Sequence, residues 1–233
     1  MKRNVRPAVT VAVLLALILL FSTPASAHNV SKRDAAFVQS NHGSAIPAFM
    51  YLGAKHMVTG YDHLAFLVGV IFFLYRLKDI VRYVSLFTVG HSITLLAGVL
   101  GGFHANPYVI DAIIGFSVVY KAFDNIDGFQ RFLGFQPNTR MAVLVFGLFH
   151  GFGLATKLQE LDLTKNGLVT NIVSFNVGVE IGQVVALTAV LIALSAWRTR
   201  SGFVRHAFAT NVALMTVGFL LTGYQIGGYY LAH

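Results

Sequence analysis

The chain has no cysteine and few charged residues, and both shortages restrict what it can be. Without cysteine it has no disulfide, thiolate metal ligand or cysteine nucleophile, so any metal site must use nitrogen and oxygen donors. It also lacks the Gly-x4-Gly-Lys-Ser/Thr loop that binds nucleotide phosphates. Charged residues make up 11% of the chain and hydrophobic residues 56%, with a mean hydropathy of +0.69. This balance excludes an ordinary soluble domain and predicts an integral membrane protein.

The excess of basic residues gives a formal net charge of +8, but this charge does not predict a nucleic-acid partner. The lysines and arginines are scattered between apolar runs and do not form a patch with aromatic side chains that would stack on bases. The partner that this composition predicts is the lipid bilayer. The basic residues then indicate which loops face the cytoplasm.

Residues 1–27 have the three parts of a secretory signal peptide. Basic residues come first, an apolar run covers residues 8–21, and Ala25, Ser26 and Ala27 end the segment. We therefore predict cleavage after Ala27, followed by a polar periplasmic segment over residues 28–47. An uncleaved anchor helix is the alternative, although the apolar run is short for crossing about 30 Å of hydrocarbon.

Residues 48–233 contain six apolar segments, each long enough to cross a membrane as a helix. The predicted fold is therefore all-α, a polytopic membrane protein with six transmembrane helices after a cleavable signal peptide. Basic residues fall in alternate loops, which predicts that those loops face the cytoplasm. The predicted location is the inner membrane of a bacterium. Both ends of the mature chain are then periplasmic. The approximate segments are 48–75, 82–100, 107–123, 140–158, 168–197 and 205–231.

One polar stretch, with His56, Asp62 and His63, interrupts the first apolar segment. In a continuous helix, His56 and His63 return to nearly the same face, about 10 Å apart along the axis. Burying two imidazoles and a carboxylate in a bilayer is costly unless a bound cation compensates. We interpret Asp62 and His63 as an inner pair of metal ligands and His56 as a station nearer the surface. As an alternative, Asp62 orients the His63 ring.

Three further ionisable side chains are predicted at the depth of Asp62 and His63. At about 1.5 Å per residue, His91 and His150 lie about 14 to 15 Å from the inner ends of their segments. Glu180 lies about 18 Å from the outer end of its segment. Facing one centre, these imidazoles and carboxylates suit Ni²⁺, Co²⁺, Zn²⁺ or Fe²⁺. The alternatives are interhelical hydrogen bonds for the histidines and a proton-carrying role for Glu180.

Polar neighbours accompany the predicted ligands. Hydroxyl groups near His91 and amide groups near Glu180 stand mostly three or four residues apart, which places them on common helix faces. We predict that these side chains orient the ligands by hydrogen bonds, as partners of metal-bound histidines commonly do. The residues are Thr88, Ser92, Thr94, Asn176 and Gln183.

These residues make the sequence similar to a known family. The stretch from His56 to Asp62-His63 matches the His-x5-Asp-His pattern of the HupE/UreJ membrane proteins, and Phe149-His150-Gly151 matches their Phe-His-Gly pattern. The segments 90–95 and 175–183 resemble the second branch of that family. The resemblance extends from about Ala48 to Gly223. It implies a role in nickel or cobalt uptake and metal binding by His56, Asp62, His63 and His150; Glu180 is inferred from depth alone.

The sequence therefore predicts a permease that imports Ni²⁺ or Co²⁺ through a midplane site of His63, Asp62, His91, His150 and Glu180. His56 passes the ion inward from the surface. The energy comes from the membrane potential, from protons or from a partner, and a homo-oligomer or an accessory subunit is compatible with this function. The alternative is an intramembrane hydrolase that uses Zn²⁺ in the same cluster. A metal sensor is a third interpretation, and a transporter is favoured over an enzyme.

Overall fold

The computed structural model describes residues 36–38, 40, 43–159 and 166–232. The predicted signal peptide and most of the predicted periplasmic segment lie outside these residues. Within them the secondary structure is helical, without strands, as the sequence predicts. The helices from residue 46 onward are α1 (Ile46–Thr59), α2 (Tyr61–Ile71), α3 (Leu77–Gly101), α4 (Pro107–Asn125), α5 (Gly128–Leu133), α6 (Thr139–Gln159), α7 (Leu168–Arg198) and α8 (Phe203–Leu231).

Local signals in the sequence explain where several helices begin and end. Pro107 occupies the first turn of α4, where its missing N–H is not needed. The side chain of Asn106 accepts hydrogen bonds from the backbone N–H groups of Tyr108 and Val109 and so caps the same helix. At the end of α3, Gly102 has a φ of 65°, a conformation that glycine adopts at little steric cost.

The first apolar segment is not the continuous helix that the sequence predicts. It consists of α1 and α2, separated at Gly60, whose φ of −75° and ψ of 91° are extended. The N–H of Gly60 still bonds the carbonyl of His56 at 2.8 Å, which closes the last turn of α1. At the far end of α2, the Arg198 guanidinium donates to the carbonyls of Ile71 and Phe72. The segment is therefore interrupted in its middle and anchored by α7 at its end.

Two pairs of helices pack closely in parallel through glycines. In the pair α1 and α7, a Cβ on Gly178 would collide with the backbone of Met50, and one on Gly182 would meet the backbone of Ala54. Met50 and Ala54 are four residues apart, as are Gly178 and Gly182, so the two helices run in the same direction. Small residues of this kind are typical of close helix contacts in membranes. In the pair α3 and α6, Gly147 lies against Phe87 and Gly151 against His91 in the same way.

The third close pair, α4 and α8, is antiparallel. Gly115 lies against Thr222, and Gly228 lies against Tyr108, so one helix rises as the other descends. The short helix α2 lies among these pairs and contacts α4, α7, α3 and α8. Its first turn therefore sits in the interior of the bundle, with Asp62 and His63 both buried.

Four helices are long and apolar enough to cross a membrane by length and composition: α3, α6, α7 and α8. The other two predicted spans fall short for visible reasons, because the first is divided at Gly60 and α4 carries Asp111, Lys121 and Asp124. These charges are buried in ion pairs, with Asp111 3.5 Å from Lys157 and Lys121 bonded to Asp124. Six crossings therefore stay a prediction for this chain.

Candidate metal site

His63 lies at the centre of a group of four histidine rings in the bundle interior. It stands in the first turn of α2, directly after the break at Gly60, and is fully buried. Its ring centroid is 4.4 Å from that of His150, 5.3 Å from that of His56 and 6.0 Å from that of His91. The structure thus brings together imidazoles from α1, α2, α3 and α6.

The break changes the relation between His56 and His63. A continuous helix predicted a separation of about 10 Å along the axis, whereas the ring centroids are 5.3 Å apart and the rings meet edge to face. That prediction is wrong because the chain turns at Gly60 and returns His63 towards the end of α1. His56 is half-buried and also contacts the Phe175 ring at 6.0 Å, so it borders the cluster directly.

The parallel pair α3 and α6 places His91 and His150 at one level. Gly151, next to His150, lies so close to the carbonyl of His91 that a Cβ would collide with it. Both histidines are fully buried. His91 and His150 lie at similar distances along their helices. Because the two helices run in the same direction, the two side chains also lie at the same level in the bundle.

Asp62 acts on His63 through its Oδ1 atom. The backbone N–H of His63 donates to this oxygen at 2.8 Å, and the ring Nδ1 lies 3.1 Å from it. With the ring proton on Nδ1, the carboxylate accepts that proton's hydrogen bond and leaves Nε2 as the donor atom for a metal. The carboxylate also stands in the first turn of α2, where the helix dipole favours a negative charge. This geometry matches the alternative in which Asp62 orients His63.

Phenylalanine rings surround the histidines. The ring of Phe87 is 5.0 Å from His150 and 6.0 Å from His63, and the ring of Phe66 is 5.7 Å from His150. Phe66 and Phe87 are among the most deeply buried large side chains of the described residues. This apolar surrounding lowers the local dielectric and strengthens any interaction between the imidazoles and an ion.

Ser117 is a site residue that the sequence analysis does not identify. Its Oγ lies 3.4 Å from Nε2 of His150 and donates to the carbonyl of Ile114 at 2.6 Å. The residue is fully buried in the middle of α4. A single serine within an apolar helix is a weak signal, because such hydroxyl groups commonly bond their own helix.

The predicted polar neighbours of His91 and Glu180 connect helices through hydrogen bonds. Thr88 donates to Oε1 of Gln183 at 3.0 Å, and Ser92 donates to Oδ1 of Asn176 at 3.3 Å. Thr94 donates to the carbonyl of Leu148 at 2.6 Å. These bonds join α3 to α7 and to α6. Their contribution to the site is therefore to hold the helix that carries His91.

Glu180 is the predicted ligand that the structure does not bring to the histidines. It is exposed on the surface of α7, whereas Asn176 and Gln183 of the same helix are buried against α3. Counting residues from the end of the segment predicts how far along the helix axis Glu180 lies, but not on which side of the helix. We therefore leave Glu180 out of the candidate ligand set.

The rings as they stand do not form a finished coordination sphere. Among the described residues, no group of three or more His, Asp or Glu side chains has the arrangement of a preformed metal site. A metal about 2 Å from each ring nitrogen places imidazole centroids about 5 Å apart. The three separations from His63, 4.4, 5.3 and 6.0 Å, lie around that value.

The comparison with known proteins agrees with the resemblance found in the motifs. A family model described as HupE / UreJ protein matches residues 32–233. No curated protein and no solved structure matches the chain. The match covers every helix described above and all four clustered histidines.

Proposed function

The chain belongs to the HupE/UreJ family, and we propose that it is a permease that imports Ni²⁺ or Co²⁺ through the histidine cluster. This family is associated with nickel and cobalt transport. One observation carries the proposal: His63, at the break between α1 and α2, has three other histidine rings within 6.0 Å. These rings come from separate helices, so the cluster is a product of the fold.

The chemistry of the cluster favours a divalent transition metal. Imidazole nitrogen is a borderline donor that binds Ni²⁺, Co²⁺, Zn²⁺ and Fe²⁺ well. Three of the histidines are fully buried, and ionisable groups inside membrane segments are costly and usually mark an ion pathway. The Asp62 carboxylate adds a negative charge beside His63 that offsets part of the charge of an entering dication.

The break at Gly60 supports transport over permanent binding. Interrupted helices inside a membrane occur where the chain lines a cavity or a binding site, and many transporters bind their ions at such breaks. His56 lies in the last turn of α1 and His63 in the first turn of α2, so a movement of either half changes the distance between the two histidines. An ion held across a break is released when the halves separate.

The helix directions support six alternating crossings, which leave both ends of the mature chain on the same side of the membrane. Alternating crossings predict that the first and fifth segments run in parallel, as do the second and fourth, while the third and sixth run in opposite directions. The close pairs α1 with α7, α3 with α6 and α4 with α8 have these directions. With this topology, a dication moving inward gains about 2.3 kcal/mol per charge per 100 mV of membrane potential.

Uptake into vesicles tests the proposed function. The purified protein, reconstituted with a metal-sensitive dye inside, is exposed to Ni²⁺, Co²⁺, Zn²⁺ and Fe²⁺ in turn. We expect flux of Ni²⁺ or Co²⁺ that His63→Ala abolishes and that His206→Ala, at the start of α8, retains. Equal flux in empty vesicles would refute the proposal. Stoichiometric Zn²⁺ that survives purification without any flux would favour the intramembrane hydrolase instead.

A further inference from the structure

Glu180 lies on an apolar, exposed face of α7, apart from the histidine cluster. Val177, Ile181 and Val184 are exposed on the same face. The residue is about 18 Å along the axis from the start of α7 at Leu168. With α7 crossing a membrane, for which it is long and apolar enough, the exposed side chain of Glu180 lies at the depth of the hydrocarbon region.

An ionised carboxylate is unfavourable in this position. A charge at the centre of a bilayer costs several kcal/mol unless it is paired or reaches water. Among the described residues, no basic side chain forms an ion pair with Glu180. The outward position therefore suits the neutral, protonated form of the side chain.

Two buried amide groups offer a second position on the inner side of the same helix. The oxygens of Asn176 and Gln183 accept hydrogen bonds from Ser92 and Thr88. Their amide nitrogens are buried and have no hydrogen-bond partner within the part of the chain that the structure describes. Asn176 is 9% exposed and Gln183 is 1% exposed, so these donors lack both protein and solvent as partners.

The spacing of the three residues allows the carboxylate to meet both donors. Asn176 precedes Glu180 by one helical turn, and Gln183 follows it by nearly one turn, so all three side chains are neighbours on the helix surface. An ionised carboxylate accepts hydrogen bonds and has no proton to donate. Turned inward, Glu180 would accept one bond from each amide and supply the acceptor that both nitrogens lack.

We propose that Glu180 is a proton-binding group with two positions. Protonated, it faces the apolar surface of α7; ionised, it turns between Asn176 and Gln183. Binding of a proton moves it outward, and release of the proton moves it inward. The site is distinct from the histidine cluster, and its ligand is a proton.

Coupling of this group to metal transport rests on the proposed function. The titratable and charged groups on the helices that pack against α7 are Tyr51, Lys55 and His56 of α1, Tyr61, Asp62 and His63 of α2, and Lys78, Asp79, Arg82, Tyr83 and His91 of α3. A dication in the histidine cluster adds positive charge one helix away from Glu180, which favours its ionised form. Metal binding then releases a proton from Glu180, and protonation of Glu180 promotes release of the metal.

Labelling with a hydrophobic carbodiimide tests the proton site without any transport assay. The reagent reacts with protonated carboxyl groups in apolar surroundings, and mass spectrometry locates the adduct. We expect labelling of Glu180 at acid pH that falls as the pH rises and is absent in Glu180→Gln. Replacing either donor, in Asn176→Leu or Gln183→Leu, should raise the labelled fraction at alkaline pH about tenfold, since a hydrogen bond to the ionised form is lost.

Thr188→Val is the matched control for these variants. Its hydroxyl is exposed on α7 and bonds only the carbonyl of Val184 within the described residues, so labelling of Glu180 should not change. Absence of the adduct at every pH would overturn the proposal. Labelling that neither Asn176→Leu nor Gln183→Leu alters would also overturn it, because the inward position would then have no role.

A second experiment separates this inference from the proposed function. In vesicles with a pH-sensitive dye, Glu180→Gln should retain metal binding but lose the metal-driven proton movement by at least about tenfold. Equal proton movement in this variant and the wild type would overturn the coupling. If the wild type transports no metal but Glu180 is labelled as expected, the permease function fails and the proton site stands.

Discussion

The interrupted first segment and the continuous helix α7 run side by side in the same direction, yet they use glycine in opposite ways. Gly60 ends one helix and allows another to begin, so that His56 and His63 come within 5.3 Å. Gly178 and Gly182 continue α7 without interruption and allow α1 to approach closely. The first arrangement places ligands from two helices on one centre. The second brings α7 close to α1, the helix that carries His56.

This difference separates residues that bind from residues that position. On the interrupted side, Asp62 and His63 are in direct contact, and His63 meets three other imidazoles. On the continuous side, Asn176 and Gln183 bond hydroxyl groups of α3. Substitutions on the interrupted side should therefore change metal affinity, and those on the continuous side should change stability.

The largest effect should come from His63→Ala. Removing the central imidazole leaves the remaining rings without their common neighbour, and we expect the affinity for Co²⁺ or Ni²⁺ to fall more than about 100-fold. Equilibrium metal titration of the purified protein measures this change. His206→Ala is the control and should bind as the wild type does. Unchanged affinity in His63→Ala would contradict the role of the cluster.

Gly178→Ala should weaken the continuous side. A Cβ at this position collides with the backbone of Met50, and overpacking of this kind costs about 1 to 3 kcal/mol. We expect a lower thermal midpoint in detergent, followed by loss of the monodisperse peak in size-exclusion chromatography. Gly223→Ala, whose Cβ would meet no atom within 4 Å, should be at least as stable as the wild type. Equal midpoints for the two variants would refute the close packing.

Asp62→Asn should weaken the metal site without removing a ring. The amide no longer accepts the Nδ1 hydrogen bond as a charged group does, and partners of metal-bound histidines typically contribute 10- to 100-fold, so a loss of about 10- to 100-fold is expected. The same metal titration measures it. Asp79→Asn, in the half-buried pair with Arg82, should have no effect. A complete loss of binding would instead indicate that Asp62 itself ligates the metal.

Gly60→Ala should have the smallest effect of the four. An added Cβ would lie 3.1 Å from the His56 carbonyl oxygen and 3.2 Å from Nδ1 of His63, so both neighbours must shift slightly. Alanine is also more favourable than glycine within a continuous helix by about 1 kcal/mol. If the metal site needs the break, a free-energy cost of this size lowers the metal affinity by less than about tenfold. The thermal midpoint should stay unchanged. Gly227→Ala, in open space on α8, provides the control, and an unaltered affinity in Gly60→Ala would mean that the break tolerates a side chain.

Much of the secondary structure was predictable because its signals are local. The starts of α4 and α7 at Pro107 and Leu168 coincide with the predicted starts of the third and fifth segments. Long apolar runs and their bordering basic or turn residues determine such limits. The break at Gly60 was not predictable in this way, because one glycine in a helix costs only about 1 kcal/mol and packing decides the outcome.

The position of each site residue along its helix was predictable, but the direction in which its side chain points was not. His91 and His150 were predicted at one level, and the parallel packing of α3 and α6 places them side by side. Glu180 was predicted at a similar depth, yet its side chain is exposed at the surface of α7 and does not reach the histidines. Ser117 was not recognised because nothing in its own segment indicates that His150 lies opposite.

The amino-acid sequence alone determined that this protein is helical, apolar and rich in histidines near the middle of its segments. The rise per residue is a property of a single helix, so depth follows from counting along the chain. The tertiary structure decided which of these polar groups meet. That outcome depends on how far each helix is rotated about its axis, and the rotation is set by glycine contacts with helices that lie far away in sequence.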